Sequence, residues 1–197
     1  MLKINPTAIS GSWDEGFALD VHTIDSQYIG DDEYGHPQFE TTRSPIGELL
    51  YRFKYKADKS VAEDLWKAAA DFVTARKWAP TIVVPVPPSR PGRHFQPVPA
   101  LAQGTAKLLE CEACDDCIAK VRETPELKDV YDYQERLEHL RGAYSVKTDK
   151  TRDHTILLLD DLYRSGATVE AVTTAFRSNG NIKRIFVLTI TRTRSNR

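Results

Sequence analysis

Residues 155–168 read Thr-Ile-Leu-Leu-Leu-Asp-Asp-Leu-Tyr-Arg-Ser-Gly-Ala-Thr and decide the fold class of this 197-residue chain. The four apolar residues Ile156–Leu159 predict a strand that is covered on both faces, as in a parallel sheet. After Thr168 the apolar residues recur at helical spacing, which predicts a helix. A loop between the carboxyl end of a parallel strand and the start of a helix offers free backbone N–H groups to an anion. The stretch therefore predicts a strand, an anion-binding loop and a helix.

Two carboxylates, Asp160 and Asp161, stand between the predicted strand and this loop. They cannot serve a phosphate, because like charges repel. They suit sugar hydroxyls or a bound cation instead. Loop and acids together favour a ligand that carries both a phosphate and hydroxyls, such as a sugar phosphate. The alternative is an ordinary strand–turn–helix unit with acids on its surface.

The rest of the chain alternates predicted strands and helices. Strands are predicted for residues 17–24, 81–84, 155–159 and 185–190. Helices are predicted from Ser60, where Ser60 and Glu63 suggest a capping box, and over residues 98–109 and 167–177. Residues 46–55 are ambiguous between strand and helix. Strands that alternate with helices predict an α/β fold with a mostly parallel sheet, whose ligands bind at the carboxyl ends of the strands.

Composition indicates one globular domain. The chain is 41% hydrophobic and 28% charged, which is ordinary for a soluble domain of this length. The net charge of −1 excludes a global field that would recruit nucleic acid or an anionic membrane. No apolar stretch approaches a membrane span and the N-terminus lacks a signal-peptide core, so we expect a cytoplasmic protein without a membrane partner.

A second candidate loop is rigid and basic. It leaves the predicted strand at residues 81–84, and its prolines stiffen the backbone. Its arginines offer bidentate contacts to a phosphate. Alone it would be read as a proline-rich surface turn, but beside the loop after Asp161 a binding role is favoured. The residues that we assign to it are Pro87, Pro88, Ser89, Arg90 and Arg93.

Residues 160–168 resemble the phosphoribosyl-pyrophosphate (PRPP) motif of type I phosphoribosyltransferases, in which two acids and a Thr/Ser-Gly-x-Thr loop follow an apolar strand. The stretch 85–96 and the run from Arg122 to Tyr144 are similar to the ComF-like branch, whose members are predicted amidophosphoribosyltransferases linked to competence. The resemblance spans about residues 46–191. It implies the type I phosphoribosyltransferase fold, with a hood-like segment at residues 1–45 and a core at residues 46–197.

The resemblance also implies an activity. Such an enzyme binds PRPP with Mg²⁺ and transfers the phosphoribosyl group to a nitrogen nucleophile, a base or an amine, with release of pyrophosphate. Asp160 and Asp161 would be catalytic and would hold the ribose, directly or through Mg²⁺. The second candidate loop would hold the pyrophosphate, and Arg122 and Lys128 would belong to a flexible loop that closes over PRPP. The 5-phosphate would be held by Arg164, Ser165, Gly166, Ala167 and Thr168.

Departures from the family leave alternatives open. Arg164 takes the place of an acid that assists the base in many purine-salvage relatives, and an arginine cannot act as a base. The acceptor is therefore unidentified. A catalytically silent PRPP-sensing regulator and a competence or DNA-processing accessory are the other function classes. Nucleic acid is not favoured as a partner, because the net charge is near zero. A homodimer is also considered. The segment from Lys120 to Tyr144 suits either a lid or, at residues 131–141, a solvated amphipathic helix, and the two are compatible if the loop precedes the helix.

The three cysteines Cys111, Cys114 and Cys117 form a C-x2-C-x2-C pattern. Their spacing permits a metal site if Asp115, Asp116, His94 or His139 supplies the remaining ligand. A second cysteine pair, which would make such a site convincing, is absent from the sequence. We therefore expect reduced, partly buried thiols, and a disulfide is not expected in a cytoplasmic protein. The zinc module with which ComF-like proteins begin has no counterpart before Cys111.

Overall fold

The computed structural model describes residues 2–88, 95–124, 130, 132–178 and 181–194. The strands are β1 (Thr7–Ala8), β2 (Glu15–Val21), β3 (Thr23–Asp31), β4 (Pro37–Arg43), β5 (Ile82–Pro85), β6 (Glu112–Ala113), β7 (Ile118–Lys120), β8 (Tyr144–Val146), β9 (Thr155–Tyr163) and β10 (Arg184–Arg192). The helices are α1 (Pro45–Tyr55), α2 (Ala62–Ala75), α3 (Pro97–Leu108), α4 (Tyr133–Leu140), α5 (Thr148–Thr151) and α6 (Ala167–Ser178).

A six-stranded sheet in the order β1-β2-β10-β9-β5-β6 forms the centre of the molecule. Its strands are parallel except β1, which runs antiparallel to β2. Leu157 and Leu159 of β9 pack on one face with side chains from α1, α2 and α3. Ile156 and Leu158 pack on the other face with side chains from α6. The predicted α/β class, with a mostly parallel sheet flanked by helices, is confirmed.

The ends of most predicted strands and helices lie within two or three residues of the observed ends. Residues 46–55, which were ambiguous, form α1, and the Ser44 side chain caps this helix by accepting a hydrogen bond from the Gly47 N–H. The helix predicted from Ser60 was wrong in its start, because α2 begins at Ala62. A short 3₁₀ turn precedes it, and Asp58 caps that turn by accepting the Ser60 N–H. Asp58, two residues before Ser60, thus provides the cap that was expected from Ser60.

The N-terminal residues contribute to two sheets. Strand β2 pairs with β10 in the central sheet, so residues 15–21 share a sheet with the strands of the predicted core. Strands β3 and β4 form a separate two-stranded hairpin. The division into a hood-like segment and a core at residue 45 remains a prediction. In the described part of the chain, no helix is long and apolar enough to cross a membrane.

The prediction of reduced thiols is wrong for two of the cysteines. Cys114 and Cys117 form a disulfide whose Cα atoms lie 5.5 Å apart, because the turn between β6 and β7 brings both side chains into the core beside β5. Cys111 is free and half-buried, and burial raises the pKa of its thiol. Among the described residues, which exclude His94, no group of three or more His, Cys, Asp or Glu side chains could hold a metal ion.

Candidate functional site

The acidic pair lies inside β9 and not after it. Strand β9 stays paired with β10 as far as Tyr163, which lies opposite Arg192. The sequence placed the end of the strand at Leu159 because the apolar run stops there. That boundary was wrong, since backbone pairing with β10 continues beyond the hydrophobic core. Neighbouring residues of a strand point to opposite faces, so the side chains of Asp160 and Asp161 diverge.

Asp161 faces α1, where it forms an ion pair with Lys54. The Lys54 Nζ lies 2.5 Å from Asp161 Oδ2, and both side chains are largely buried. Burial is the largest single influence and lowers the pKa of Lys54, but the charge of Asp161 and its hydrogen bond to Lys54, with smaller effects of Tyr55 and Asp160, together outweigh it, so the pKa of Lys54 is raised. Lys54 therefore stays protonated and neutralises the carboxylate. The sequence reading missed this lysine, because the pair joins residues 107 positions apart in an ambiguous segment.

Asp160 lies on the opposite face of β9, at the wall of a cleft. Its Oδ1 accepts the N–H of Asp161 at 2.8 Å, and no described residue forms an ion pair with it. Burial of the carboxylate and then the charge of Asp161 raise the pKa of Asp160 far above that of an ordinary aspartate. The phenol of Tyr144 lies nearby, and burial together with the charge of Asp160 raises the pKa of Tyr144 to about 12. Asp160 is thus an acid without a cationic partner in the described part of the chain.

The loop between β9 and α6 presents backbone donors beside this carboxylate. Gly166 has a φ of +82°, and its carbonyl accepts the Glu170 N–H at 2.9 Å, which starts the hydrogen bonding of α6. The N–H groups of Ser165, Gly166 and Thr168 donate to no described residue. The Ser165 hydroxyl lies 3.4 Å from the Ala167 N–H. The predicted strand, loop and helix are thus observed, whereas the binding of an anion by this loop stays a prediction.

An open cleft of about 480 Å³ joins the loop to Asp160. All five residues predicted to hold the 5-phosphate line it, and so does Arg136 from α4. The remaining lining residues are Leu162, Tyr163 and Val169. The cleft thus combines one carboxylate, two arginines and a row of free backbone donors. Such a set can bind a ligand that carries a phosphate next to hydroxyl groups.

Arg136 was not among the predicted site residues. It belongs to α4, which packs against α6, and its Nε donates a hydrogen bond to the Val130 carbonyl at 2.5 Å. Asp132 caps the helix by accepting the Glu135 N–H. The helix predicted at residues 131–141 is thus observed at residues 133–140, and a lid formed by the preceding residues stays a prediction. Helical spacing alone could not single out Arg136 among the basic residues of this run, because its position depends on the contact with α6.

The predicted site residues beyond the acidic pair and the phosphate loop lie either outside the cleft or outside the described part of the chain. Arg122 is exposed and lies outside the cleft, where its Nη2 donates to the carbonyls of His139 and Arg141 at the end of α4. Pro87 and Pro88 are half-buried and follow β5 at the sheet edge where β9 ends, one strand away. Ser89, Arg90, Arg93 and Lys128 lie outside the described residues.

We expect Gly166→Ala to lower the melting temperature clearly, at a cost of about 1–3 kcal/mol. Its positive φ is strained for alanine, and an added Cβ would lie 2.4 Å from the Tyr163 hydroxyl. Gly35→Ala is a matched control, since Gly35 has a φ of +77° but nothing within 4 Å of an added Cβ. Thermal unfolding of both variants would contradict this description of the loop if they lost equal stability.

Comparison with known proteins gives structural likenesses only. No family model and no curated protein matches the chain. Glutamine phosphoribosylpyrophosphate amidotransferase from B. subtilis shares 15% identity at a TM-score of 0.46, over 76% of this chain and 28% of that protein. Adenine phosphoribosyltransferase from Thermoanaerobacter pseudethanolicus shares 14% identity at a TM-score of 0.45, over 85% of this chain and 95% of its own length. Giardia lamblia APRTase, solved with 9-deazaadenine, shares 14% sequence identity at a TM-score of 0.46, over 86% of this chain and 94% of its own length.

The chain therefore spans about a quarter of the length of the amidotransferase and nearly all of the two adenine phosphoribosyltransferases. Likenesses with TM-scores below 0.5 do not assign the chain to a family.

Proposed function

We propose that this protein is a phosphoribosyltransferase that binds PRPP in the cleft and transfers its phosphoribosyl group to a nitrogen nucleophile, with release of pyrophosphate. One observation carries the proposal. Asp160, a carboxylate without an ion-pair partner among the described residues, lies in the same cleft as the free N–H groups of Ser165, Gly166 and Thr168. A ligand that satisfies both must carry hydroxyls close to a phosphate, as a ribose 5-phosphate group does.

The 5-phosphate would occupy the loop between β9 and α6. The N–H groups of the loop and the dipole of α6 favour a negative charge there. Arg164 of the loop and Arg136 of α4, which both line the cleft, would add charge-assisted hydrogen bonds. The ribose would then lie over Asp160, whose carboxylate accepts hydrogen bonds from its hydroxyls.

A second phosphate contact would separate PRPP from a simple sugar phosphate. Strand β5 lies beside β9, and the Val86 N–H donates to the Leu159 carbonyl at 2.9 Å. The chain therefore leaves β5 at the same sheet edge and continues through Pro87 and Pro88 toward the predicted pyrophosphate contacts. Pyrophosphate on the anomeric carbon of the ribose would extend from Asp160 toward this neighbouring loop.

Mg²⁺ fits this edge as an ion that arrives with the substrate. The described residues include no side-chain cluster that would hold a metal alone. Mg²⁺ keeps several waters and is commonly bound by one or two carboxylates together with substrate phosphates. Asp160 is the carboxylate that would hold it, whereas Asp161 is already neutralised by Lys54. Bound there, the ion would neutralise the charge that develops on the leaving pyrophosphate.

The residues of the cleft suit a dissociative transfer. The bond between the anomeric carbon and pyrophosphate breaks with its electron pair on the leaving oxygen, and positive charge develops on the ribose. Burial raises the pKa of Asp160, and a bound Mg²⁺ or the positive charge on the ribose would favour its ionised form. The carboxylate beside the ring would then stabilise that charge. The nitrogen nucleophile then forms the new bond to carbon and passes its proton to the departing pyrophosphate. Arg164, which belongs to the phosphate loop, cannot take that proton.

Pyrophosphate release with Mg²⁺, PRPP and a panel of bases, amines and ammonia tests the proposal. We expect release that requires one acceptor class and is lost in Asp160→Asn. PRPP binding without release for any acceptor would instead support a PRPP-sensing regulator. Binding of DNA with a steep salt dependence, and no binding of PRPP, would support the competence or DNA-processing alternative.

We expect Arg136→Ala to weaken PRPP binding about tenfold or more, since a guanidinium contact to phosphate contributes about 1.5–3 kcal/mol. Arg141→Ala is the matched control, because Arg141 follows the same helix but is 79% exposed and, among the described residues, pairs only with Glu138. Calorimetric titration of both variants gives the comparison. Equal losses of affinity would show that Arg136 acts through the helix and not through the cleft.

A further inference from the structure

One arginine at the edge of the cleft has no carboxylate partner among the described residues. Arg192 is the last residue of β10, and it lies opposite Tyr163, which lines the cleft. The side chain of Arg192 is half-buried, and its Nε is buried without a hydrogen-bond partner in the described part of the chain. Its Nη1 makes only a long contact of 3.4 Å with the carbonyl of Thr193. Because buried charges are normally paired, this guanidinium is a candidate to bind an anion.

Arg192 faces the side of the sheet that α1 covers. Alternate residues of a strand share a face, so Arg192 points to the same side as Leu188 and Ile190, which pack in the core with α1. The ion pair of Lys54 and Asp161 lies on that side, at the end of the neighbouring strand β9. Arg192 therefore ends its strand beside two charges that already neutralise each other.

The other ionisable groups on this side do not neutralise Arg192. Arg43 pairs with Glu48, with Nη1 and Oε2 3.3 Å apart. Burial, and then the cationic charges nearby, lower the pKa of His22, so its imidazole is neutral near neutral pH. Within the described part of the chain, Arg192 is thus the half-buried cation on this side that lacks a carboxylate partner.

The order of the strands puts Arg192 on the side of the ribose that the phosphate groups leave open. Strand β9 lies between β5 and β10. In the proposed function the 5-phosphate binds in the loop after β9, and pyrophosphate extends toward the loop after β5. The end of β10 borders the remaining side, where the Thr193 N–H donates to the Tyr163 carbonyl at 2.9 Å. Arg192 would therefore meet the nitrogen acceptor and not the phosphate groups of PRPP.

We propose that the nitrogen acceptor carries a carboxylate and that Arg192 binds this group, an inference that rests on the proposed function. A planar guanidinium can form two parallel hydrogen bonds with a carboxylate. One unpaired cation matches the single negative charge of a carboxylate, whereas a phosphate dianion would need a second cation. Arg192 is thus a residue that determines acceptor specificity. It orients the acceptor and takes no proton from it, because a guanidinium stays protonated.

Pyrophosphate release with matched acceptors tests the proposal. The assay uses the full chain with PRPP, Mg²⁺ and pairs of nitrogen compounds of which only one carries a carboxylate: anthranilate with aniline, nicotinate with nicotinamide, and orotate with uracil. We expect the acid of at least one pair to react with a kcat/KM about tenfold or more above that of its neutral partner, because a hydrogen bond between charged groups is strong. Faster or equal release with the neutral compounds, or no release with any acid, would overturn the proposal.

Variants at position 192 test which residue reads the carboxylate. Arg192→Gln should bring the kcat/KM of the acid down to that of its neutral partner, mainly through KM, and should keep the affinity for PRPP measured by calorimetry. Arg192→Lys, which keeps the charge but not the planar fork, should retain part of the preference. Arg194→Gln is the matched control, since Arg194 is exposed and its Nη1 donates to the Ile24 carbonyl at 2.6 Å. It should behave like the wild type.

The outcomes separate this inference from the proposed function. An acid preference that survives in folded Arg192→Gln, with circular dichroism as the check of the fold, would overturn the role of Arg192. Turnover of PRPP with neutral acceptors only would keep the proposed function and overturn the carboxylate. A folded wild type that does not bind PRPP would overturn both, because the acceptor side is defined by where PRPP lies.

Discussion

The Asp160→Asn variant is expected to lose PRPP binding and yet to resist unfolding better than the wild type near neutral pH. In the folded protein, burial and the charge of Asp161 raise the pKa of Asp160, whereas in the unfolded chain its pKa is ordinary. The folded state therefore holds the proton to higher pH. It follows that the free energy of unfolding falls as the pH rises from the ordinary aspartate pKa through the raised one.

Asparagine at position 160 removes this pH-dependent loss of stability, because its side chain does not ionise. We expect a gain of about 1–3 kcal/mol that grows from acid toward neutral pH and is complete above the raised pKa of Asp160, with little change in acid. Urea unfolding over a series of pH values measures both the gain and its pH dependence. If Asp160→Asn were less stable than the wild type at neutral pH, with an unchanged pH dependence, ionisation of Asp160 would not be what costs the wild type stability.

The second large effect is expected at Lys54. Lys54→Met would leave the carboxylate of Asp161 buried without its partner, which typically costs about 3–5 kcal/mol. The loss should shrink as the pH falls, because an unpaired buried carboxylate takes up a proton in acid. The double variant Lys54→Met with Asp161→Asn should recover most of the loss, since it leaves no uncompensated charge.

Lys67→Met is a suitable control for Lys54→Met, because Lys67 is exposed on α2 and forms no ion pair with a described residue. We expect its stability to match that of the wild type. A Lys54→Met variant as stable as Lys67→Met, or a double variant no better than the single one, would show that the pair with Asp161 contributes little.

The central strand of the fold could be predicted because its signal is local. Ile156–Leu159 are apolar without interruption, and such a run is typical of a strand covered on both faces. The turn from strand to helix at residues Ser165 to Thr168 was likewise predictable, since the hydrophobic pattern changes there from strand to helix period. The binding of an anion at this turn stays a prediction.

The parts that escaped prediction depend on contacts between distant residues. The two aspartates diverge because β9 stays paired with β10 to Tyr163, and a polar strand end carries no hydrophobic signal. Lys54 reaches Asp161 from a helix whose sequence was ambiguous. Arg136 enters the cleft only because α4 packs on α6. In each case the sequence contains both residues but does not show that they come into contact.

The disulfide between Cys114 and Cys117 escaped prediction for a different reason. The expectation of reduced thiols rested on an assumed compartment and not on the residues themselves. The turn after β6 brings the two Cα atoms to 5.5 Å, which is within the range that a disulfide spans. Local geometry was therefore the better guide.

Titration calorimetry with PRPP and Mg²⁺, compared with ribose 5-phosphate under the same conditions, addresses the proposed ligand most directly. We predict one PRPP site per chain and clearly tighter binding of PRPP than of ribose 5-phosphate, because only PRPP places a second phosphate group toward the loop after β5. Asp160→Asn should abolish the PRPP signal while the protein remains folded. No binding of PRPP by the folded wild type, or equal affinity for the two ligands, would contradict the assignment of this cleft to PRPP.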